Sequence, residues 1–598
     1  PVMSFENRNY AFAGAFIDEL ARCGLRHVCI CPGSRSSPLA ISFARHPGIR
    51  KWVHLDERSA AFFALGMARY LNEPVALVCT SGTAVANFLP ALVEARYSSV
   101  PLLVLTADRP PELVDWGALQ TIDQTRLYGC YVKWSANMPP PDVTLPLMGF
   151  VRSIAGRALA TATEEPKGAV HLNFPFRDPL EPAVVSSDLP DGGVNLQNQI
   201  YQGRPEGRPF LRSVSVEKRP LLDDIQRLAS ELISIEHGLI VCGPATDATL
   251  AVKVVTLARQ LGYPVLADCL SQVRCGPHDR SSIIDCYDSF IGDRELTASL
   301  APQVVLRFGA LPVSKSLTGY LEQCRSARHI LVDDMGWRDP FHITSEIWHI
   351  GAISFCETIS SFLKSRRVDG EWSNRWHILA EITRSTIRRE FARIGEMFEG
   401  KVFAELVSLL PSDSLLFAGN SMPVRDMDTF VLSTELPVRF MANRGASGID
   451  GVVSTALGAS AVSSGRLVLV VGDVSFYHDM NGLLAAKNCG LNATIVVINN
   501  NGSGIFSFLP QVNYEDVFEH YFATPHDLTF RAAADLYGLY YCFAQDWETY
   551  IEAVKVSLAR TGTTIIEVPG ERKLNVRLHR QIRNAVVAQI RRNERANS

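Results

Sequence analysis

Short apolar runs of strand length alternate with helix-length amphipathic stretches along most of this chain. In its first third, apolar runs occupy residues 28–30, 75–78 and 102–105, and helical spacing occupies residues 59–70 and 84–95. Continuously apolar strands that alternate with helices are typical of a parallel sheet covered by helices on both faces. The alternation therefore predicts an α/β fold made of doubly wound parallel sheets.

The alternation recurs in three separate parts of the chain, which predicts three domains in series. A chain of 598 residues is long enough for several domains, since each usually takes roughly 100–200 residues. The alternation is lost where Pro, Gly, Asp and Asn accumulate, as in a linker or long surface loop, and a polar helix-forming passage interrupts it again. The predicted boundaries are residues 1–185 for the first domain, 186–213 for the linker, 214–365 for the central domain and 366–598 for the third domain.

Composition excludes several classes of protein. The 58 Lys and Arg residues against 62 Asp and Glu residues give a net charge of −4, which provides no field to steer the chain onto nucleic acid or an anionic membrane. No apolar run reaches the roughly 18 residues of a membrane span. The 13 cysteines are scattered without a C-x-x-C pair, which favours reduced thiols over a disulfide framework or a zinc site. We predict no membrane span and no nucleic-acid partner.

The basic tail at residues 572–595 suggests one alternative, an RNA-binding helix. Its apolar residues Ile582, Val586 and Ile590 recur at helical spacing, however. This spacing favours a packed helix with a buried apolar stripe and a solvated basic face.

Polar side chains follow the predicted strands of the first domain, at the edge where parallel sheets bind ligands. Ser34 and Arg35 lie in a small-residue turn that can present N–H groups and a guanidinium to an anion, although a helix cap with a solvated Arg fits the turn equally well. Glu57 opens an alanine-rich helix, either as a simple cap or as a carboxyl group that shares a proton. Arg109 and Gln120 lie in loops that we expect to reach the same edge.

The third domain has a more specific pattern. Gly472 and Asp473 end one buried strand and Asn500 ends the next, 27 positions after Asp473. This separation accommodates one crossover helix, predicted over residues 479–487, and places the two strand ends side by side. A carboxylate, an amide oxygen and a backbone carbonyl form an all-oxygen set that suits Mg²⁺ holding a diphosphate. The chain lacks the P-loop, dinucleotide-binding and zincin motifs.

These two strand ends resemble the signature of thiamine-diphosphate-dependent enzymes, with Val474 in place of the usual small residue. Glu57 lies where that family keeps the glutamate of its pyrimidine domain. Further motifs look like the MenD family, the 2-succinyl-5-enolpyruvyl-6-hydroxy-3-cyclohexene-1-carboxylate synthases of menaquinone and phylloquinone biosynthesis. The start without Met and the many cysteines also suit the MenD domain of the plant fused protein PHYLLO. The motifs that carry the resemblance are residues 31–38, 108–110, 117–120, 419–425, 443–451 and 499–510.

The resemblance implies a pyrimidine-binding first domain, a transhydrogenase-like central domain and a diphosphate-binding third domain. It also implies thiamine diphosphate and Mg²⁺, or Mn²⁺, as cofactors, and a homodimer or homotetramer in which the first domain of one subunit and the third domain of another hold the cofactor. The compartment implied is the cytoplasm for a bacterial chain and the plastid stroma for the plant fusion.

Roles for individual residues also follow from the resemblance. Glu57 is the predicted catalytic residue, because it would hydrogen-bond the aminopyrimidine ring and favour its imino tautomer. The predicted metal ligands are Asp473, Asn500 and the carbonyl of Gly502. The predicted cofactor contacts are Glu57, Ser81, Asn87, Asn420, Ile449, Gly472, Ser475 and Ile505, with Ile449 as the apolar wedge that bends the cofactor.

Substrate contacts are implied in the same way. Ser421, Arg425 and Arg444 would face 2-oxoglutarate, and Phe506 and Leu509 would line the pocket, although a helix packing face is an equal alternative for the last two. The family often has a second basic residue directly after the predicted lysine contact, where this chain has Ser316. The predicted isochorismate contacts are Ser34, Arg35, Arg109, Gln120 and Lys315.

The implied activity is that of a transferase, which decarboxylates 2-oxoglutarate and adds the succinyl carbanion to isochorismate in a 1,4-addition. Two alternatives remain at this point. One is another thiamine-diphosphate carboligase or decarboxylase, such as an acetolactate synthase relative, against which Arg425 and Arg444 argue because a small monocarboxylate needs fewer cations. The other is a non-catalytic binding protein of the same fold, against which Glu57 argues.

Overall fold

The structure is a computed structural model and describes residues 6–188, 198–214, 216, 218–363 and 370–597. It contains three six-stranded sheets that follow one another along the chain, and all the paired strands are parallel. Most central strands are buried along their whole length, as expected for sheets covered on both faces. The predicted α/β class with three parallel sheets in series is confirmed.

The first sheet has the strand order β2-β1-β3-β4-β6-β5. Its strands are β1 (His27–Ile30), β2 (Arg50–Val53), β3 (Val75–Cys79), β4 (Leu102–Asp108), β5 (Trp134–Asn137) and β6 (Ala169–Pro175). The helices of this part of the chain are α1 (Arg8–Arg22), α2 (Ser37–Arg45), α3 (Glu57–Leu71), α4 (Thr83–Asn87), α5 (Leu89–Ser98), α6 (Leu145–Thr163) and α7 (Gln199–Gln202).

The central sheet has the order β12-β11-β10-β7-β8-β9. Its strands are β7 (Gly238–Cys242), β8 (Val265–Ala267), β9 (Ile283–Ile284), β10 (Val304–Phe308), β11 (Arg328–Val332) and β12 (Thr344–Trp348). The helices here are α8 (Leu222–Ser234), α9 (Leu250–Leu261), α10 (Arg294–Thr297), α11 (Lys315–Gln323) and α12 (Ala352–Ser360), and α13 (Glu371–Arg393) follows them.

The third sheet, β14-β13-β15-β16-β18-β17, repeats the relative strand order of the first. Its strands are β13 (Ser414–Ala418), β14 (Val438–Met441), β15 (Leu467–Gly472), β16 (Ala493–Asn499), β17 (Tyr540–Phe543) and β18 (Thr564–Pro569). The helices are α14 (Glu399–Val407), α15 (Met422–Phe430), α16 (Val452–Val462), α17 (Asp473–His478), α18 (Leu483–Asn488), α19 (Glu515–Phe518), α20 (Arg531–Tyr537), α21 (Trp547–Ala559) and α22 (Arg572–Asn597).

The chain forms two compact units. Unit 1 comprises Pro1–Val216, Asn443–Val462 and Asp479–Gly490, and unit 2 comprises Glu217–Ala442, Ser463–His478 and Leu491–Ser598. Helices α16 and α18 therefore belong to unit 1, although they lie between strands of the third sheet in the sequence. In unit 1, α16 packs directly on α3. A Cβ atom at Gly66 would lie 1.9 Å from the carbonyl oxygen of Thr455, so glycine permits this close approach of two backbones.

The predicted domain boundaries stay predictions. Within the predicted linker, residues 189–197 lie outside the described residues, and the described part contains α7 and the buried Tyr201. The predicted boundary between residues 365 and 366 also lies outside the described residues.

Two predicted helices differ from those in the structure. The stretch at 84–95 is divided between α4 and α5, because Pro90 in the first turn of α5 has no backbone N–H to donate to the carbonyl of Ala86. The crossover helix predicted over 479–487 is shorter, and α18 begins at Leu483. Asp479 is not helical, since its carboxylate accepts hydrogen bonds from the backbone N–H (2.6 Å) and the hydroxyl (3.0 Å) of Ser454.

The basic C-terminal segment forms α22 as predicted. Ile582, Val586 and Ile590 are each at most 1% exposed, which confirms the buried apolar stripe. Across the described part of the chain, the helices fall short of the length and apolar character that a membrane crossing requires.

Candidate active site

In unit 1, the loops after β3 and β4 bring three predicted contacts together. The guanidinium of Arg109 donates a hydrogen bond to the hydroxyl of Ser81, and the amide of Gln120 donates to the carbonyl of Ser81 at 2.9 Å. Ser81 is fully buried and Gln120 is exposed, so this small cluster lies at the edge of the sheet. Asn87, also predicted to contact the cofactor, is exposed at the end of α4 and donates to the carbonyl of Thr83 at 3.1 Å.

A buried polar network supports this edge. The backbone N–H of Gly82 donates to the side chain of Gln124 at 2.9 Å. Gln124 donates in turn to Asn173 (2.9 Å), which donates to Asp108 (2.8 Å). Burial raises the pKa of Asp108, and the hydrogen bond from Asn173 opposes this rise. The sequence prediction missed this network, although His171 and Asn173 in an otherwise apolar strand were a usable signal.

Arg35 lies near Arg109. It donates a hydrogen bond to the carbonyl of Phe176 at 2.9 Å and lies 3.8 Å from the carboxylate of Asp178. Burial lowers the pKa of Arg109, and repulsion from Arg35 lowers it further. Ser34 is exposed in the same turn. Two neighbouring guanidinium groups at one edge of a sheet favour a bound anion, because an anion would offset their repulsion.

Glu57 is the first residue of α3, as predicted, and is half-buried. The preceding Asp56 caps the helix by accepting from the backbone N–H of Ser59 at 3.2 Å, and the amide of Asn481 donates to Asp56 at 3.0 Å. Burial, together with the Glu57 and Asp56 carboxylates, raises the pKa of Cys31 just after β1. The Glu57 carboxyl group therefore lies close to the end of the first strand.

Arg444 and Ile449 also belong to unit 1, on the loop that precedes α16. The loop is held by Glu94 on α5, a carboxylate that is only 3% exposed. Three successive backbone N–H groups donate to it, a motif that sequence reasoning missed because a glutamate within a helix has no distinctive signature. The donors are Gly445 (2.8 Å), Ala446 (2.7 Å) and Ser447 (3.4 Å).

In unit 2, Asp473 directly follows the last residue of β15. One of its oxygens accepts from the backbone N–H of Gly502 at 2.9 Å and lies 3.1 Å from Nε2 of His526, and the other accepts from the N–H of Val474 at 2.7 Å. Burial raises the pKa of Asp473, and the two backbone hydrogen bonds and His526 oppose the rise. The predicted proximity of Asp473 to residues after β16 is therefore present.

Asn500 lies beside Glu399, a residue that sequence reasoning missed. The side-chain amide of Asn500 donates to Oε1 of Glu399 at 2.9 Å, while Oδ1 of Asn500 is buried and has no hydrogen-bond partner among the described residues. Burial, the Asp426 carboxylate and, to a smaller extent, Asp473 raise the pKa of Glu399 to about 8, against a lowering contribution from Asn500.

Asp426 is fully buried next to this group, and neither of its carboxylate oxygens has a hydrogen-bond partner within the described part of the chain. Nε2 of His579 lies 3.0 Å from one of these oxygens, in a geometry that does not form a hydrogen bond. Unit 2 thus gathers three buried carboxyl groups and an unpaired amide oxygen.

This oxygen cluster fits a divalent cation. Hard oxygen ligands suit Mg²⁺ or Mn²⁺, and the unpaired oxygen of Asn500 supplies a ligand atom that no protein donor occupies. The carbonyl of Gly502 accepts from Gly504 at 3.0 Å and has a second lone pair for a cation. Gly502 has φ +127, and a Cβ atom there would lie 2.1 Å from the carbonyl oxygen of Ala523, so this turn requires glycine.

The other predicted contacts of unit 2 surround the same strand ends. Ser421 has a positive φ of 73 at the start of α15, and Arg425 donates a hydrogen bond to its carbonyl. Asn420 and Ser475 are buried, and a Cβ atom at Gly472 would meet nothing within 4 Å. The half-buried residues Ile505, Phe506 and Leu509 lie on or next to the 3-10 turn Gly504–Phe508.

Lys315 lies apart from these strand ends along the chain, as the exposed first residue of α11 after β10 of the central sheet. Its ammonium group makes no salt bridge or side-chain hydrogen bond with the described residues. The predicted 2-oxoglutarate contacts are divided between the units, since Arg444 belongs to unit 1 and Ser421 and Arg425 belong to unit 2.

Three family models match the chain in succession. The N-terminal TPP-binding domain of thiamine pyrophosphate enzymes matches residues 11–127. The middle domain of thiamine pyrophosphate enzymes matches residues 207–418. The C-terminal TPP-binding domain of thiamine pyrophosphate enzymes matches residues 425–568.

Several bacterial proteins are similar over almost the whole chain. A 2-succinyl-5-enolpyruvyl-6-hydroxy-3-cyclohexene-1-carboxylate synthase of Geobacillus thermodenitrificans is 48% identical over 582 residues, which cover 97% of this chain and 96% of the relative. The enzyme of the same name from Geobacillus kaustophilus is 47% identical, with 97% and 98% covered. That of Chloroflexus aurantiacus is 45% identical, with 96% and 95% covered.

Solved structures share the fold at low identity. A benzoylformate decarboxylase from Polynucleobacter necessarius superposes with a TM-score of 0.69 at 17% identity, covering 94% of this chain and 98% of that one. A thiamine diphosphate-dependent 4-hydroxybenzoylformate decarboxylase from Rhodococcus jostii RHA1 has a TM-score of 0.72 at 18% identity, with 94% and 99% covered.

Proposed function

The chain belongs to the 2-succinyl-5-enolpyruvyl-6-hydroxy-3-cyclohexene-1-carboxylate synthase family of thiamine-diphosphate-dependent enzymes, and from this we propose that it decarboxylates 2-oxoglutarate and transfers the succinyl group to isochorismate. The family predicted from the sequence motifs is thereby confirmed, and thiamine diphosphate is the cofactor. The structural observation that carries the proposal is the buried oxygen cluster of unit 2, in which Asn500 keeps an unpaired amide oxygen and donates a hydrogen bond to Glu399.

In this proposal, Asp473, Asn500 and the carbonyl of Gly502 would hold Mg²⁺ or Mn²⁺ against the cofactor diphosphate. When bound, thiamine diphosphate supplies the nucleophilic carbon at which the 2-oxo acid is decarboxylated. Glu57 holds a proton at the ring nitrogen of the aminopyrimidine. Its place at the start of α3, where Asp56 caps the helix, fixes the backbone from which the carboxyl group extends. The other predicted cofactor contacts would orient and enclose thiamine diphosphate.

Both substrates are dianions, so discrete cations must bind them on a chain of nearly balanced charge. Arg35 and Arg109 would bind the isochorismate carboxylates together with Ser34, Gln120 and Lys315. The proximity of the two guanidinium groups supports this assignment. Each charge-assisted hydrogen bond contributes about 1.5–3 kcal/mol.

On the 2-oxoglutarate side, Ser421, Arg425 and Arg444 would bind the carboxylates. The hydrogen bond from Arg425 to the Ser421 carbonyl supports a shared position for these two residues. Phe506 and Leu509 would line the substrate pocket.

The test is incubation of the protein with thiamine diphosphate, Mg²⁺, 2-oxoglutarate and isochorismate, with CO₂ release and the loss of isochorismate absorbance measured together. The proposal requires equal rates for the two signals. Matched reactions contain pyruvate in place of 2-oxoglutarate or omit isochorismate. Turnover of pyruvate without turnover of 2-oxoglutarate would assign the chain to an acetolactate-synthase-like activity, and absence of cofactor uptake in calorimetry would assign it a non-catalytic role.

We also propose that the protein is a homodimer or homotetramer, and light scattering after size-exclusion chromatography would measure its oligomeric state. We propose no nucleic-acid partner. The bacterial origin of the similar proteins named above supports a bacterial cytoplasm over a plastid stroma as its compartment.

A further inference from the structure

We propose that Glu399 is a positioning residue of the cation site, which fixes the side-chain amide of Asn500 so that its oxygen faces the cation. The inference rests on the proposed function, because it takes Asn500 as a metal ligand. It assigns a role to a residue outside the predicted ligand set and outside every motif that the sequence suggested.

The hydrogen bond between the two side chains carries the argument. Nδ2 of Asn500 donates to Oε1 of Glu399 at 2.9 Å, and Glu399 is only 3% exposed. The two ends of an asparagine amide have nearly the same shape, so packing alone does not determine which end is oxygen. An acceptor at Oε1 selects the amine end for itself and leaves the oxygen end for the cation.

Packing also restricts the movement of the Asn500 side chain. A Cβ atom at Gly570 would lie 3.0 Å from Cβ of Asn500 and 3.3 Å from Oε1 of Glu399, and a Cβ atom at Gly504 would lie 2.6 Å from Nδ2 of Asn500. The two glycines thus let the backbone approach Asn500 from two directions. The position of the side chain is therefore restricted. Only a flip of the amide remains possible, and the hydrogen bond to Glu399 determines its orientation.

The consequence of a flip is electrostatic. A flipped amide would present N–H groups to the cation in place of an oxygen and would remove one ligand from the site. Polar partners that orient metal ligands commonly change metal affinity by about 10–100-fold when they are mutated. Because the buried oxygen of Asn500 has no donor among the described residues, the hydrogen bond from its amide nitrogen to Glu399 is what holds the amide in this orientation.

The test measures Mn²⁺ affinity by electron paramagnetic resonance in the presence of thiamine diphosphate and without either substrate. Glu399→Met keeps the length of the side chain but removes the acceptor, whereas Glu399→Gln keeps an acceptor and removes the charge. We expect Mn²⁺ to bind about 10-fold more weakly or worse in Glu399→Met and with near wild-type affinity in Glu399→Gln. Equal weakening in both variants would show that charge is what matters, and wild-type affinity in Glu399→Met would show no role; either result overturns the proposal.

Glu567→Met is the matched control. Glu567 is also buried and accepts from the amide of the adjacent Asn499 at 2.8 Å, but Asn499 is not a predicted ligand. This variant should lose thermal stability and keep its Mn²⁺ affinity. An equal loss of affinity in both methionine variants would mean that any disturbance at this end of β16 weakens the site, and would overturn the specific role of Glu399.

A second measurement decides the matter if Glu399→Met does not fold. In an Asn500→Asp background there is no amide to orient, and the new carboxylate needs a donor. Adding Glu399→Gln should then strengthen Mn²⁺ binding, and an unchanged or weaker affinity would overturn the proposal. Failure of the proposed function is separable, because a wild-type protein that binds Mn²⁺ with thiamine diphosphate but does not turn over the two substrates loses only the proposed activity.

Discussion

The polar clusters at the strand ends of the first and third sheets differ in how far each is hydrogen-bonded internally, although the two sheets have the same relative strand order. In unit 1, Arg109 and Gln120 donate to Ser81, and Gln124 and Asn173 pair with each other. In unit 2, buried oxygens of Asn500 and Asp426 have no hydrogen-bond donors within the described residues. Equal topology therefore supports a polar network in unit 1 whose members pair with one another, and a set of buried oxygens in unit 2 that lack donors among the described residues.

The contrast has an energetic basis. A buried polar group that lacks a partner costs about 1–3 kcal/mol, and charged groups cost more. The burial and mutual repulsion of carboxylates that raise the pKa of Glu399 to about 8 are reduced when a cation binds. In the proposed function, unit 1 would supply groups that bind and protonate organic ligands, whereas the carboxyl groups of unit 2 would be stabilised by a metal ion.

The largest expected effect concerns Glu57 in unit 1. Glu57→Gln removes the carboxyl group that holds a proton at the cofactor but leaves the oxygen cluster of unit 2 unchanged. We expect kcat to fall by about 10²–10⁴-fold, while binding of thiamine diphosphate with Mg²⁺ is retained in calorimetry. Full activity would remove Glu57 from the mechanism. Loss of cofactor binding would show that Glu57 is needed for binding as well as for proton transfer, which contradicts the proposed separation of roles between the two clusters.

The next effect tests the division between the substrate arginines. Arg425→Ala should raise the KM for 2-oxoglutarate by about 10–100-fold, because a charge-assisted contact is worth about 1.5–3 kcal/mol, and should change the KM for isochorismate much less. Arg109→Ala is its counterpart and should show the reverse preference in the same steady-state assay. Equal changes for both substrates in either variant would contradict this assignment.

The sequence predicted where both clusters lie, because the hydrophobic pattern indicates where the strands end. Asp473 and Gly502 come after buried strands and are hydrogen-bonded to each other, since adjacent parallel strands in register bring their carboxyl ends together. Glu57 likewise begins α3 where its position before an alanine-rich helix indicated.

The partners of these residues were not predictable in the same way. Glu399 and Asn500 are 101 positions apart, and Glu94 lies 351 positions from Gly445. A helix that begins with an ordinary glutamate gives no local sign that the carboxylate is buried against a distant amide. The division of Arg444 and Arg425 between units also follows from tertiary packing of α16, which local pattern does not determine.

A pair of stability measurements tests the contrast between the clusters directly. Asn173→Ala breaks the polar network of unit 1 and should destabilise the protein by about 1–3 kcal/mol, because it removes one hydrogen bond from Gln124 and one from the buried Asp108. Asp426→Asn in the cation cluster removes repulsion with Glu399 and should leave the cofactor-free protein as stable as wild type or more stable. Thermal unfolding without cofactor measures both, and similar destabilisation by the two variants would contradict the contrast.

The smallest expected effect is a pH dependence within unit 1. Burial raises the pKa of Asp479 from 3.8 to about 7, against hydrogen bonds from Ser454 and attraction by Arg58. Between these two values the folded chain binds more protons at Asp479 than the unfolded chain does, so the free energy of unfolding falls as the pH rises from 3.8 to 7.

Asp479→Asn should remove this contribution. A shift of one pKa unit corresponds to about 1.4 kcal/mol, and each 1 kcal/mol changes the Tm of a domain of 150–250 residues by about 2–4 °C. Relative to wild type, the variant should therefore gain Tm between pH 4 and pH 8 in thermal scans without cofactor. Because Asp479 is hydrogen-bonded to Ser454 and is not a predicted metal ligand, its contribution should persist when Mg²⁺ and thiamine diphosphate are added. Parallel pH profiles for the two proteins would show that Asp479 does not titrate in this range. If cofactor binding abolished the difference in Tm between the variant and wild type, buried carboxyl groups of unit 1 would respond to the cation as those of unit 2 do.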